Sequence, residues 1–280
     1  MILPHPIIHH PFAYDVGPLQ FTGFGLAVLA AFVIAQIIAQ RVLAERGFDP
    51  DPINDMIFAA VIGGLVGAKV YYAILMGSFA DLFSRAGFVF WGGLIGGILA
   101  VLYVIRRKHL PVMRIADPAG IAIAAAYSIG RTGCWAVGDD YGRPWNGFLA
   151  VAFPQGAPPS TAEVMHQAFR IPIPPGVSPY QVLSVYPTQL FEVAMGFIMF
   201  LILWKLRRHH HAEGWLFGLY CAMAGIERFI VEIFRAKDDR FFGPFTTAQV
   251  LAVGFVLLGI IWMAARWKVT ERTPGIYEAA

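Results

Sequence analysis

The chain has 280 residues, of which 58% are hydrophobic and only 14% charged, and its formal net charge is +3. Its mean hydropathy is +0.61; an average soluble domain is roughly 25% charged, and a soluble protein of this length has too little interior to hide so much apolar surface. A water-soluble globule is excluded, no nucleic-acid partner is expected, and the composition points to a chain dissolved in a bilayer.

The N-terminal stretch MILPHPIIHHPFAYDVGPL carries prolines and histidines where a cleavable leader has a basic region and a short apolar core. The first span is therefore expected to act as its own insertion signal. Crossing the hydrocarbon takes about 20 mostly apolar residues, and seven segments qualify: 17–40, 53–76, 87–105, 116–137, 187–204, 215–234 and 246–265. The third and fourth are rich in Gly and Ala, which let helices approach closely in lipid. Between the fourth and fifth lies 138–186, with many prolines and the polar residues Asp139, Asp140, Arg143, Glu163 and Arg170. It is expected to form a water-facing head of loops, short helices and strands on a single membrane domain, 1–280. The expected fold class is thus an all-α polytopic membrane protein of about seven transmembrane helices with a small head. Cys134 and Cys221 both sit in apolar stretches and read as buried free thiols.

The charges give this topology a direction. The loops after spans 1, 3, 5 and 7 hold Arg41 and Arg46; Arg106, Arg107, Lys108 and Arg114; Lys205, Arg207 and Arg208; and Arg266, Lys268 and Arg272. The positive-inside rule puts these loops in the cytoplasm, so the N-terminus and 138–186 face outward. His209, His210 and His211 extend the basic flank, while His9, His10 and His166 read as solvated loop residues outside.

Two arginines fall within spans, Arg131 in the fourth and Arg228 in the sixth. A guanidinium at the bilayer centre costs about 2.5–3.5 kcal/mol on insertion scales, so such a residue is a functional candidate. Each lies about six residues before the outer end of its span, on the order of 9–10 Å down at 1.5 Å per residue. Two cations at one depth can share an anion, and a phospholipid phosphate is the anion at that level. Arg228, Glu232 and Arg235 are spaced i, i+4, i+7 and so share one helical face, with Glu227 about 100° away and open to another partner.

Span 4 ends in Gly130-Arg131-Thr132-Gly133-Cys134-Trp135, followed by Gly138-Asp139-Asp140-Tyr141-Gly142-Arg143-Pro144. This resembles the GRxGNFxNGExxGRP signature of the prolipoprotein diacylglyceryl transferase family. Phe90-Trp91-Gly92-Gly93-Leu94-Ile95-Gly96-Gly97 is similar to that family's HGGLIGG, Tyr186-Pro187-Thr188-Gln189-Leu190-Phe191-Glu192 to its HPSQLYE, and Arg228-Phe229-Ile230-Val231-Glu232-Ile233-Phe234-Arg235 to its RxxVExFR. The motifs occur in family order over about residues 17–240. The resemblance implies a seven-helix body with a periplasmic head in a bacterial inner membrane, N-terminus periplasmic and C-terminus cytoplasmic. It implies transfer of the diacylglyceryl group of phosphatidylglycerol to the lipobox cysteine thiol of a preprolipoprotein, forming a thioether and releasing glycerol-1-phosphate, without metal or soluble cofactor. Carried over residue by residue, it implies catalytic roles for Arg131 and Arg228 with Asp139 and Asp140. Substrate contacts would come from Arg131, Gly92, Gly93, Gly130, Tyr141, Gly142, Gln189, Glu192, Glu232 and Arg235. The chemistry suits these residue types: guanidinium groups bind a phosphate and stabilise the charge it gains on leaving, and a base must take the thiol proton.

The sequence departs from the family pattern at Trp91, where the family has a histidine that is a proposed base, and tryptophan takes no proton. Cys134 replaces an asparagine, Asp139 a glutamate, Tyr186 a histidine, Phe24 a tyrosine, Thr22 an arginine and Lys69 an arginine. Three readings stay open: the family reaction, a diverged phospholipid-dependent transferase or inactive relative, and a transporter. The last would call for inverted repeats with broken helices, which the span pattern lacks. Either the arginine pair carries the chemistry without those groups or, if a base is required, Asp139 or Asp140 is the expected one, with Glu232 next.

Overall fold

The computed structural model describes residues 7–17, 19–83, 87–236 and 240–268. Pro18 and Arg272 lie outside the described residues. The chain opens with strand β1 (Ile7–Ile8) and a hairpin of β2 (Ala13–Val16) and β3 (Leu19–Thr22), then helices α1 (Gly23–Glu45), α2 (Pro52–Met76), α3 (Phe90–Arg107) and α4 (Val112–Val137). After α4 come β4 (Val151–Ala152), α5 (Ala162–Gln167) and β5 (Ser184–Val185), then α6 (Thr188–Lys205), α7 (Trp215–Phe234), a hairpin of β6 (Arg240–Phe242) and β7 (Phe245–Thr246), and α8 (Thr247–Ala265). Seven of the described helices are 18 to 26 residues long, which makes the chain an all-α polytopic membrane protein. Six of them are apolar enough throughout to cross a bilayer. The other, α7, carries Glu227, Arg228 and Glu232 among its apolar residues.

The first span is shifted from its sequence expectation. Residues 19–22 form β3 of the β2–β3 hairpin, in which Tyr14 pairs with Phe21 and Asp15 with Gln20. Alternating polar and apolar residues favour a strand here over a helix. The helix starts only after Thr22, whose Oγ1 accepts from Gly25 N at 3.1 Å as an N-cap, and it runs five residues past Gln40 to Glu45. At α8 the expected start holds, because Thr246 and Gln249 form a reciprocal capping box.

Helix α4 is the axis of the bundle, packing against α1, α6 and α7, while α2 pairs with α3 and α7 with α8. The α2–α3 contact is made backbone to backbone: a Cβ on Gly92 would fall on the carbonyl oxygen of Gly67, and one on Gly67 on that of Gly92. Two apolar cores stack along the molecule. One, around Val42, Leu43, Ile53, Ile121, Leu203 and Leu216, fills the end where α1, α3 and α6 finish. The other, around Tyr141, Phe153, Met165 and Val185, fills the segment after α4, where β1, β4 and β5 make a three-stranded sheet. A layer of charged side chains on α4, α6 and α7 lies between them.

The basic residues gather at the end away from that sheet. There Asp117, fully buried, accepts from Arg46 Nη1 at 3.0 Å and from Phe217 N at 3.0 Å, and lies 3.2 Å from His209 Nε2. Glu45 pairs with Arg207 at 2.9 Å. His209 is therefore a buried strut between α4 and the α6–α7 loop, not a solvated flank residue. His9 is buried too, against the rings of Trp135 and Phe153; burial lowers its pKa.

Candidate active site

The last three turns of α4 present Tyr127, Arg131 and Cys134 on one side, about one helical turn apart. Gly138 then caps the helix in the left-handed conformation, and Asp140 follows with φ of 54°, a region that aspartate tolerates better than most residues. This sharp turn folds Asp140 back over Arg131. It is pinned from α6: Thr188 Oγ1 donates to the Asp140 carbonyl at 2.6 Å, and the Gln189 side-chain amide donates to the Asp139 carbonyl. Gly142 then passes between the start of α6 and the end of α7, donating its N–H to the Tyr186 carbonyl at 2.8 Å. A Cβ at Gly142 would strike the Phe234 carbonyl oxygen and Tyr186 Cβ, so only glycine fits the crossing.

The charged side chains close into a ring. Arg131 pairs with Asp140 at 2.8 Å, Asp140 with Arg235 at 2.7 Å, Arg235 with Glu232 at 3.8 Å, Glu232 with Arg228 at 2.6 Å, Arg228 with Glu192 at 3.9 Å, and Glu192 with Arg131 at 3.2 Å. Three guanidinium and three carboxylate groups alternate, so the ring is neutral when all are ionised. Alternation lets a charged cluster persist between apolar cores, because each desolvated charge faces partners of opposite sign. The two span arginines, expected to share a phospholipid phosphate, both pair here with the Glu192 carboxylate. The ring is not sealed, since the side chain of Arg228 is 30% exposed and that of Asp140 36%. Beside it, nothing lies within 4 Å of where a Cβ on Gly130 would sit.

Among the described residues, Glu192 Oε2, Glu232 Oε1 and Gln189 Oε1 are buried acceptors without a hydrogen-bond partner. Burial alone would raise the Asp140 carboxyl, but Arg235 and Arg131 together hold it below the ordinary carboxylate range. Asp139 goes the other way: burial, reinforced by the charge of Asp140, pushes it up to about 6. Cys134 Sγ and the Asp139 and Asp140 carboxylates lie within 4.8 Å of one another. Arg131 Nη1, 3.7 Å from that sulfur, already puts a positive charge against the group, which disfavours a metal ion there.

The structure thus brings together Arg131, Arg228, Asp140, Glu192, Glu232 and Arg235, with Asp139, Gly130, Gly142 and Gln189 alongside. It does not bring Gly92, Gly93 or the Tyr141 side chain to the ring. Gly92 and Gly93 face Gly67 and Gly64 in the α2–α3 interface. Tyr141 is buried in the core after α4, its hydroxyl donating toward the Pro158 and Pro159 carbonyls at 2.8 and 2.9 Å. Trp91 is exposed on α3. Sequence reasoning passed over Tyr127, whose hydroxyl reaches Glu192 at 3.1 Å and Glu227 at 2.9 Å; its signal was a lone phenol one turn before an intramembrane arginine.

Bundle and ring together define a multi-pass membrane protein with an arginine–carboxylate centre enclosed by its helices. The family model described as prolipoprotein diacylglyceryl transferase matches residues 11–265, and the chain belongs to that family. Among its relatives, the phosphatidylglycerol–prolipoprotein diacylglyceryl transferase of Geobacter sulfurreducens is 30% identical over 268 residues, covering 89% of this chain and 92% of the relative. The protein of the same name from Proteus mirabilis is 30% identical over 287 residues, covering 94% and 95%. That of Stenotrophomonas maltophilia is 26% identical over 298 residues, covering 100% and 99%.

Proposed function

We propose that the protein transfers the diacylglyceryl group of phosphatidylglycerol to the lipobox cysteine thiol of preprolipoproteins. The observation that carries this is the ring, in which Arg131 and Arg228 converge on one anion, Glu192. A lipid phosphodiester can take up the open N–H groups of the same two guanidinium ions. The unpartnered acceptors Glu192 Oε2 and Glu232 Oε1 suit a headgroup that brings hydroxyl donors, as glycerol does. In the reaction the thiol sulfur bonds to the glyceryl carbon, the carbon–oxygen bond to phosphate breaks, its electron pair stays on the phosphate, and glycerol-1-phosphate leaves. Stabilising that departing charge is the task of the two arginines.

Asp139 is the group proposed to take the thiol proton, because Trp91 cannot. A carboxylate titrating near 6 is mostly ionised at neutral pH yet basic enough to accept a proton as the thiolate forms. The face bearing the ring and segment 138–186 is proposed to lie outside the bacterial inner membrane, with the basic end in the cytoplasm. Preprolipoproteins would then reach the site from the outer leaflet. The test is incubation of purified protein with phosphatidylglycerol and a lipobox peptide. The peptide is expected to gain a diacylglyceryl thioether, while the same peptide with serine for the lipobox cysteine gains nothing. Lack of the thioether product from folded protein contradicts the reading.

A further inference from the structure

Glu227 lies in α7, one residue before Arg228, and is buried. The ring arginines pair with Glu192, Glu232 and Asp140, and no cation among the described residues forms an ion pair with Glu227. Its Oε1 instead meets the Tyr127 hydroxyl at 2.9 Å, and that hydroxyl is also 3.1 Å from Glu192 Oε1. A phenol has one hydrogen to donate. The three groups form a complete chain when one carboxyl is protonated: it donates to the Tyr127 oxygen, and Tyr127 donates to the other. Glu192 has Arg131 and Arg228 beside it to favour its charge, whereas an ionised Glu227 would be a buried charge without a counterion. The proton therefore belongs on Glu227.

We propose that Glu227 is a neutral carboxylic acid which, through Tyr127, aims the Glu192 carboxylate between Arg131 and Arg228, so that Glu227 and Tyr127 are positioning residues of the transfer site. This rests on the reading of the ring given above. The groups that face Glu227 are Tyr127 and Arg131 from α4, Glu192 from α6, and Arg228 and Tyr220 from α7. The sequence of α8, also packed on α7, contains no titratable residue.

Three measurements test it. Infrared spectra of the wild-type protein at a pH well above 6, where Asp139 is ionised, are expected to contain the carbonyl stretch of a neutral carboxylic acid. That band should vanish in Glu227→Gln and shift in Tyr127→Phe. In the transfer assay Glu227→Gln, whose amide can donate to Tyr127 as the acid does, should stay within about threefold of wild type, and Tyr127→Phe should fall on the order of tenfold. At alkaline pH the wild type should lose activity as Glu227 ionises, while Glu227→Gln keeps its plateau. A wild-type spectrum without the neutral-acid band, or a folded but inactive Glu227→Gln, overturns the proposal. The wild-type band and its shift in Tyr127→Phe decide the matter even where Glu227→Gln does not fold. The band is read without any turnover, so failure of the transferase reading and failure of this one are told apart.

Discussion

Asp139 and Asp140 are sequence neighbours with opposite electrostatics, and that contrast makes them separable by experiment. Asp140 is clamped by two guanidinium groups and serves the ring; Asp139, with its carboxyl pushed up to about 6, is the proposed proton acceptor. A base works only when ionised, so transfer activity is expected to fall as pH drops through about 6, and Asp139→Asn should remove activity rather than shift this limb. Stability has the opposite sign. The folded carboxyl binds its proton more tightly than an ordinary aspartate does, so the ionised side chain destabilises the fold as pH rises from about 4 through 6. Asp139→Asn should therefore melt higher than wild type above pH ~6 and match it below pH ~4, read as melting temperature in detergent. Sequence alone picked out Arg131 and Arg228, because an intramembrane arginine is costly wherever it stands. Their equal depth suggested a shared anion, but not that Glu192, on a third helix, stands between them.

At the scale of elements, small residues decide where helices touch. The α2–α3 pair meets at Gly67 and Gly92, where each Cα faces the other's carbonyl. Gly67→Val would force the helices apart, and overpacking of this kind costs about 1–3 kcal/mol. A lower melting temperature is expected, and an unchanged one would mean that the pair does not depend on this contact. The Gly-rich pattern of span 3 was legible as close packing, whereas its resemblance to a family motif also suggested substrate contact. Neighbour geometry separates the two, and a single strand of sequence contains no neighbours. The shifted start of α1 has a similar cause. Residues 17–22 read as part of a span, but the pairing of 19–22 with 13–16 is a property of two segments rather than one.

On the scale of the whole molecule, the long apolar segments made the membrane-spanning helices readable from the sequence, because bilayer thickness acts on local sequence. The buried Asp117–Arg46–His209 cluster was not readable, as its members come from three separate parts of the chain. The orientation makes its own prediction. A membrane-impermeant thiol reagent applied to intact spheroplasts should label Ser178→Cys, an exposed position after α5, and spare His210→Cys until the membrane is broken. The reverse pattern would turn the protein over and put the ring on the wrong leaflet.

The arginine–carboxylate ring is proposed to perform diacylglyceryl transfer. Its most direct test is the mass of a lipobox peptide after incubation with phosphatidylglycerol and Arg131→Gln, in a preparation whose melting curve shows it folded. Wild type is expected to add a diacylglyceryl group and Arg131→Gln to add none. A fully active Arg131→Gln would contradict it.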